Sequence, residues 1–323
     1  RPGQANKAIA LKLVRNVLLR DFTIHRGGHM AILLTGVDNA TIDNLTIDTN
    51  RDGIDVDACR DVRISNAVVN APNDDAIVLK SSYALGAPRV TENVAITNSI
   101  VSGFDVGTVL DGTYGRTSVA APDRDGPTGR IKLGTESNGA FRNITISNIV
   151  FTRSRGLALE TVDGAALEDV TVSNVTMREV SNAPFFLRLA SRMRGPTGTP
   201  VGSLRRVSIS NVTVYDADPR YASIIAGIPG HQIKDVRFSN VRIWYRGGLS
   251  LETAASQPAN LVNNFFRPPG GNPPRDPYAV PERETMYPEP SLFGILPAYG
   301  FYVRHAANVR LDGVEVGFMS PDT

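Results

Sequence analysis

Two short blocks concentrate acidic residues in a pattern that suits hydrolytic chemistry. They read Asn50-Arg51-Asp52-Gly53-Ile54-Asp55-Val56-Asp57 and Asn73-Asp74-Asp75-Ala76-Ile77-Val78-Leu79-Lys80. Aligning Ile54 with Ile77 sets Asp52 below Asp75, with Asp74 beside them. If the two blocks are neighbouring parallel strands, equivalent residues lie about 4.7–4.9 Å apart. Like charges at that range raise at least one carboxyl pKa, giving a proton donor next to ionised bases. Glycosidic-bond hydrolysis needs that division: an acid for the leaving oxygen and a carboxylate for water or carbon. Calcium is the competing occupant, since hard oxygen ligands also suit it. For Asp55, Asp57 or Asp61 taken singly, capping of turns is the plain reading.

The elements that would hold these residues are written in a repeat. NVLLRDFTI from Asn16 returns as NATIDNLTI, DVRISNAVV, NVAITNSIV, NITISNIVF, DVTVSNVTM, RVSISNVTV, DVRFSNVRI and, from Asn308, NVRLDGVEV. Each copy is an alternating β-branched run, a polar pair and a second alternating run, so it predicts strand, tight bend, strand. Spacings start at about 22 residues, the range of solenoid repeats. The sixth position is Asn at 44, 66, 98, 148, 174, 211 and 240, and stacked side-chain amides can donate and accept along a ladder. A second strand per coil is expected at 54–57, 77–80, 157–160, 185–189, 224–226 and 301–304. Its inward residues (Ile54, Val56, Ile77, Leu79, Leu157, Leu159) would fill a narrow core, and its outward residues would form one long face. The predicted fold is all-β: a right-handed parallel β-helix with an Asn ladder, residues 1–323 making one domain. Two insertions, about 103–129 and 247–297, interrupt the period and are expected to wall a cleft.

Composition excludes several classes. A formal charge of +2 offers no basic field for nucleic acid. Cys59 is the only cysteine, so no intrachain disulfide or cysteine metal site forms. No apolar run reaches the roughly 20 residues of a membrane span. P-loop, dinucleotide and serine-elbow motifs are absent, and His25 and His29 lack a third zinc ligand. No cofactor is expected.

Asn-x-Asp-Gly-Ile-Asp followed by Asp-Asp-x-Ile-x-x-Lys-Ser resembles the polygalacturonase family, glycoside hydrolase family 28. The resemblance runs from the Asn16 phrase to the Asn308 phrase and is specific for Asp52–Ser81. It implies an inverting hydrolase with Asp74 as general acid and Asp52 and Asp75 activating water. Leu133-Gly134-Thr135-Glu136-Ser137-Asn138-Gly139 is similar to the segment after that family's catalytic histidine. The histidine itself is missing, its place being assigned to Gly103-Phe104-Asp105. The family's Arg-Ile-Lys, which binds a uronate carboxylate, is matched by Ala158-Leu159-Glu160, where Glu160 would repel such a group. The literal Arg130-Ile131-Lys132 is assigned to another coil, contributing positive charge from the inserted loop. The resemblance also implies further coils or caps beyond both ends. The chain opens on Arg1-Pro2-Gly3 with no leader peptide in view, and a periplasmic or secreted location is expected.

These departures move the expected substrate from plain polygalacturonate toward rhamnogalacturonan-derived or branched pectic chains, cleaved from an end. Residues expected to touch the sugar are Lys80, Asp105, Arg130, Lys132, Glu136, Glu160, Arg188, His231 and Tyr299, with Tyr287 as a second aromatic platform. Arg188 is expected one coil above Glu160, pairing with it or holding an anionic sugar. Two other classes stay open: a calcium-dependent lyase or epimerase on the same scaffold, and a non-catalytic glycan-binding solenoid. Oligomeric state is left open.

Overall fold

The computed structural model describes residues 6–119, 121, 125–262 and 272–321. Parts of both insertions (120, 122–124 and 263–271) lie outside the described residues. The chain winds as a right-handed parallel β-helix. One sheet stacks nine strands, Lys7–Lys12, Met30–Thr35, Asp52–Asp57, Ile77–Ser81, Ile131–Ser137, Leu157–Thr161, Phe185–Leu189, Ser223–Ala226 and Phe301–Arg304. The repeated phrases form a second sheet of twelve strands against it. Neighbours are consecutive coils, each pairing parallel with the next. Among the described residues no helix is long and apolar enough to cross a membrane.

The bends explain the asparagines. All seven sixth-position residues take positive φ, between 50° and 56°, a region where Asn is enriched because its short polar side chain bonds locally. Their amides form a ladder on the outer surface. Asn148 donates to Asn98 (3.2 Å), Asn174 to Asn148 (3.1 Å), Asn211 to Asn174 (3.2 Å) and Asn240 to Asn211 (2.9 Å). In the first coils aspartates replace the acceptors: Asn44 donates to Asp21 and Asn66 to Asp43.

Ile54, Val56, Ile77, Leu79, Leu157 and Leu159 are fully buried in one continuous core, as the alternation requires. The outward face differs from expectation. From the Leu157–Thr161 strand onward it is covered: Ala158, Phe186, Ile224 and Ala226 pack under Val280, Phe293 and Leu296 of the second insertion. The Phe186 and Phe293 rings meet edge to face at 6.5 Å. Burying apolar area at about 25 cal/mol per Å² gives this strap a driving force of its own. Arg275 and Arg283 tie it together through the carbonyls of Phe293 and Leu292.

Candidate active site

The site is built by stacking two coils in parallel register. Ile54 pairs with Ile77, and Gly53 donates its N–H to the Asp75 carbonyl at 3.0 Å. A Cβ on Gly53 would lie 2.4 Å from the Ala76 carbonyl oxygen, so only glycine lets Asp52 sit beneath Asp75. Asp52 Oδ1 and Asp74 Oδ1 both accept from the Asp75 N–H, at 3.3 and 3.1 Å. Asp52, Asp74 and Asp75 each offer an oxygen within 4.8 Å of the others. Gly129, with φ of +49° and no room for a Cβ beside Ser102 O, ends the first insertion by donating to the Asp74 carbonyl at 2.9 Å.

Their surroundings set the three carboxyls apart. Asp75 is buried, which alone would raise its pKa. Lys132 Nζ at 2.7 Å and Arg130 Nε at 2.9 Å outweigh that and hold it ionised, well below the usual range. Asp52 is raised to about 7, first by burial and then by Asp55 and Asp75, with Lys80 Nζ at 3.2 Å opposing. Asp74 is also raised to about 7, by burial and by its two acidic neighbours, against Arg51 at 2.5 Å. Burial and like charge thus raise both Asp52 and Asp74 while Asp75 stays ionised, and Asp74 is the more open, its side chain being 25% exposed.

Several expected contacts fall differently. Arg130 and Lys132 were assigned to another coil but belong to this site. Ile131–Ser137 is the strand directly after Ile77–Ser81, with Val78 facing Lys132. The segment resembling the one after the family's histidine thus lies one coil above Asp75, and Arg130 leads it. Gly103-Phe104-Asp105 is not that place. Burial alone would raise Asp105, but it accepts from Thr117 and Ser118 within its own loop, and together these bonds hold its pKa below the usual range.

Glu160 is not an outward group that meets a substrate. It is fully buried, accepting from Thr135 Oγ1 at 3.0 Å and standing 4.0 Å from Arg130. Burial lifts it to about 7, against Lys132 and Arg130. Arg188 does align with Glu160 on the next strand, but its guanidinium donates to the carbonyls of Ala226, Gly227, Glu282 and Arg283. It is an anchor for the strap and holds neither Glu160 nor a sugar. His231 is an exposed turn residue whose backbone pairs with Ile228. Tyr299 stacks against Phe318 at 4.7 Å, among Leu251 and Ile295 rather than the carboxylates. Lys80 and Glu136 are at the site: Lys80 bridges Asp52 and Asp55, and Glu136 lies 3.7 Å from Arg192, its pKa lowered by Lys80 and Arg192 against burial.

Sequence reasoning missed Arg51, Asp55 and Glu289. Asp55 is no turn cap but the buried partner of Lys80, whereas Asp57 does cap, accepting from the Ser82 N–H at 2.8 Å. Glu289 accepts from Arg130 (3.4 Å) and Asn182 (3.3 Å) and pairs with Arg155 (3.1 Å). Tyr287, expected as an aromatic platform, does stand at the site: its hydroxyl is 3.1 Å from Thr135 Oγ1, and Lys132 lies over its ring at 6.0 Å. Arg51 carries a signal in hindsight, as a cation inside the acidic block; Glu289 carries none, being more than a hundred residues from its partners. The trio could present oxygens to a hard cation, but Lys80, Lys132, Arg130 and Arg51 already neutralise these carboxylates.

Comparison with known proteins supports the fold. The family model described as a right handed beta helix region matches residues 4–120. An exopolygalacturonase from Thermotoga maritima superposes with a TM-score of 0.56 at 21% identity, over 72% of this chain and 48% of its own. A family 28 exopolygalacturonase from Yersinia enterocolitica gives a TM-score of 0.61 at 14% identity, over 96% of this chain and 45% of its own. The chain spans about half the length of these structures. No curated protein matches it. At these identities the likeness shows the fold, a right-handed parallel β-helix.

Proposed function

We propose that the Asp52–Asp74–Asp75 centre hydrolyses glycosidic bonds in a pectin-type, uronate-bearing polysaccharide or oligosaccharide. The observation that carries the reading is the geometry of the trio: three carboxylates within 4.8 Å of one another, Asp75 clamped by Lys132 and Arg130 and Asp74 left the more open. Asp74 gives its proton to the leaving glycosidic oxygen. Asp52 and Asp75 take one from the attacking water, so a C–O bond breaks, another forms and the proton count closes. Exopolygalacturonases as fold neighbours are consistent with this chemistry.

The oxygens of the trio are closer than the roughly 6.5–9.5 Å carboxyl separation common in inverting enzymes. The water must therefore sit on the open side of the trio rather than between acid and base. Incubation with defined pectic oligosaccharides, followed by mass spectrometry and NMR of the first-formed anomer, tests this. Saturated products with inverted configuration are expected, unaffected by chelator. Retention would make one carboxylate a nucleophile. Unsaturated, ultraviolet-absorbing products lost in chelator would replace the hydrolase with a calcium-dependent lyase.

A further inference from the structure

The face is not equally open on the two sides of the trio. Toward the C-terminal coils, Arg130, Lys132 and Glu160 are buried, and Tyr287 and Glu289 of the anchored strap stand over them. A sugar chain cannot run along that side without displacing the strap. Toward the N-terminal coils the register that pairs Met30 with Asp52 sets His29, Arg51 and Asp74 in one column. Arg51 keeps 36% of its side chain exposed while pairing with Asp74, and its Nε is buried without a hydrogen-bond partner. His29, half-buried, lies within electrostatic reach of Arg51, Asp74, Lys7 and Lys80. The Arg51 guanidinium, with the His29 imidazole disfavoured as a cation by burial and by Arg51, therefore borders the most open carboxylate of the trio, on the side the strap leaves free.

We propose that Arg51, with His29 beside it, binds the carboxylate of an acidic sugar on the N-terminal side of the trio. The site rests on reading the trio as a glycosidase centre and gives that centre its substrate class. A guanidinium presents Nε and one Nη as a fork that fits a carboxylate, and in Arg51 the Nε–H is the unspent half. A bound uronate draws Arg51 away from Asp74. Asp74 then faces Asp52 and Asp75 without its nearest cation, which favours the protonated acid when a proton is required. A neutral sugar leaves Arg51 on Asp74, so the same exchange discriminates between acidic and neutral residues.

Galacturonate and galactose, neither with a bond to hydrolyse, separate binding from turnover. Each is titrated against the full chain by NMR of the histidine imidazoles, in wild type, Arg51→Gln and Arg51→Lys, with melting curves to confirm folding. Galacturonate is expected to shift His29 and to bind about 10- to 100-fold more tightly than galactose, the range of a charged hydrogen bond. Arg51→Gln removes that preference and leaves galactose binding unchanged, and Arg51→Lys restores part of it. No preference in wild type, or equal loss for both sugars in Arg51→Gln, overturns the proposal. Arg51-dependent binding without cleavage of any pectic oligosaccharide would remove the hydrolase and keep the site. Cleavage with binding indifferent to Arg51 would do the reverse.

Discussion

Asp74→Asn separates chemistry from stability in one substitution. Asp74 is raised from an ordinary carboxyl to about 7, chiefly by burial and then by Asp52 and Asp75. The sign follows from linkage. A carboxyl whose folded pKa exceeds its unfolded value favours the fold while protonated, and that favour is lost as pH rises from about 4 to about 7. A shift of about three units corresponds to roughly 4 kcal/mol if nothing screens it. The side chain is 25% exposed and paired with Arg51, so solvent screening and the lost ion pair reduce this to about 1–2 kcal/mol. Asparagine keeps the shape without the charge. The variant is therefore expected to melt a few degrees higher than wild type at pH 8, about 2–5 °C, with the gain vanishing near pH 4. Loss of the general acid is expected to lower kcat by about 10²–10⁴. Calorimetry at the two pH values and reducing-sugar release on pectic oligosaccharides measure both effects. Retained turnover would refute the assignment of the acid, and destabilisation of equal size at pH 4 and pH 8 would refute the electrostatic account.

Two further substitutions probe the support around the trio. Lys132→Met leaves Asp75 with Arg130 alone; removing one member of a buried pair costs about 3–5 kcal/mol, and Asp75 should now titrate. A lower melting temperature above pH 5, smaller loss below pH 4 and a sharp fall in kcat are expected; an unchanged pH–stability profile would mean Lys132 does not hold Asp75 ionised. Phe293→Ala opens the packing under the strap, with Phe186 and Arg188 as its neighbours, at about 3–5 kcal/mol for a buried aromatic. Limited proteolysis within 272–297 should accelerate while the coils resist; cleavage at the wild-type rate would mean the strap is held elsewhere.

The stacking of Asp52 under Asp75 was readable because a solenoid repeats its register: aligning Ile54 with Ile77 fixes every position around them. The same logic found the core residues and the asparagine ladder. It failed where an insertion hid a coil boundary. The 103–129 loop separates Ile77–Ser81 from its true neighbour Ile131–Ser137, so Arg130 and Lys132 were read as loop charges reaching the sugar rather than as partners of Asp75, and Gly103-Phe104-Asp105 was given the place of the family's histidine.

The second insertion caused the opposite error. Alternation gave Glu160 as outward and set Arg188 on the coil after it, but outward on a strand means exposed only if nothing covers it, and period-two patterning contains no term for a distant strap. Glu160 is the clearest case. As an open group it would repel a uronate; beneath Tyr287 and Glu289 it is instead a buried counter-charge near Arg130. That reversal bears on function. With the C-terminal half of the face closed, Glu160 and Arg188 are buried away from solvent, which is why the proposed uronate contact falls on the other side of Asp74, at the partly exposed Arg51.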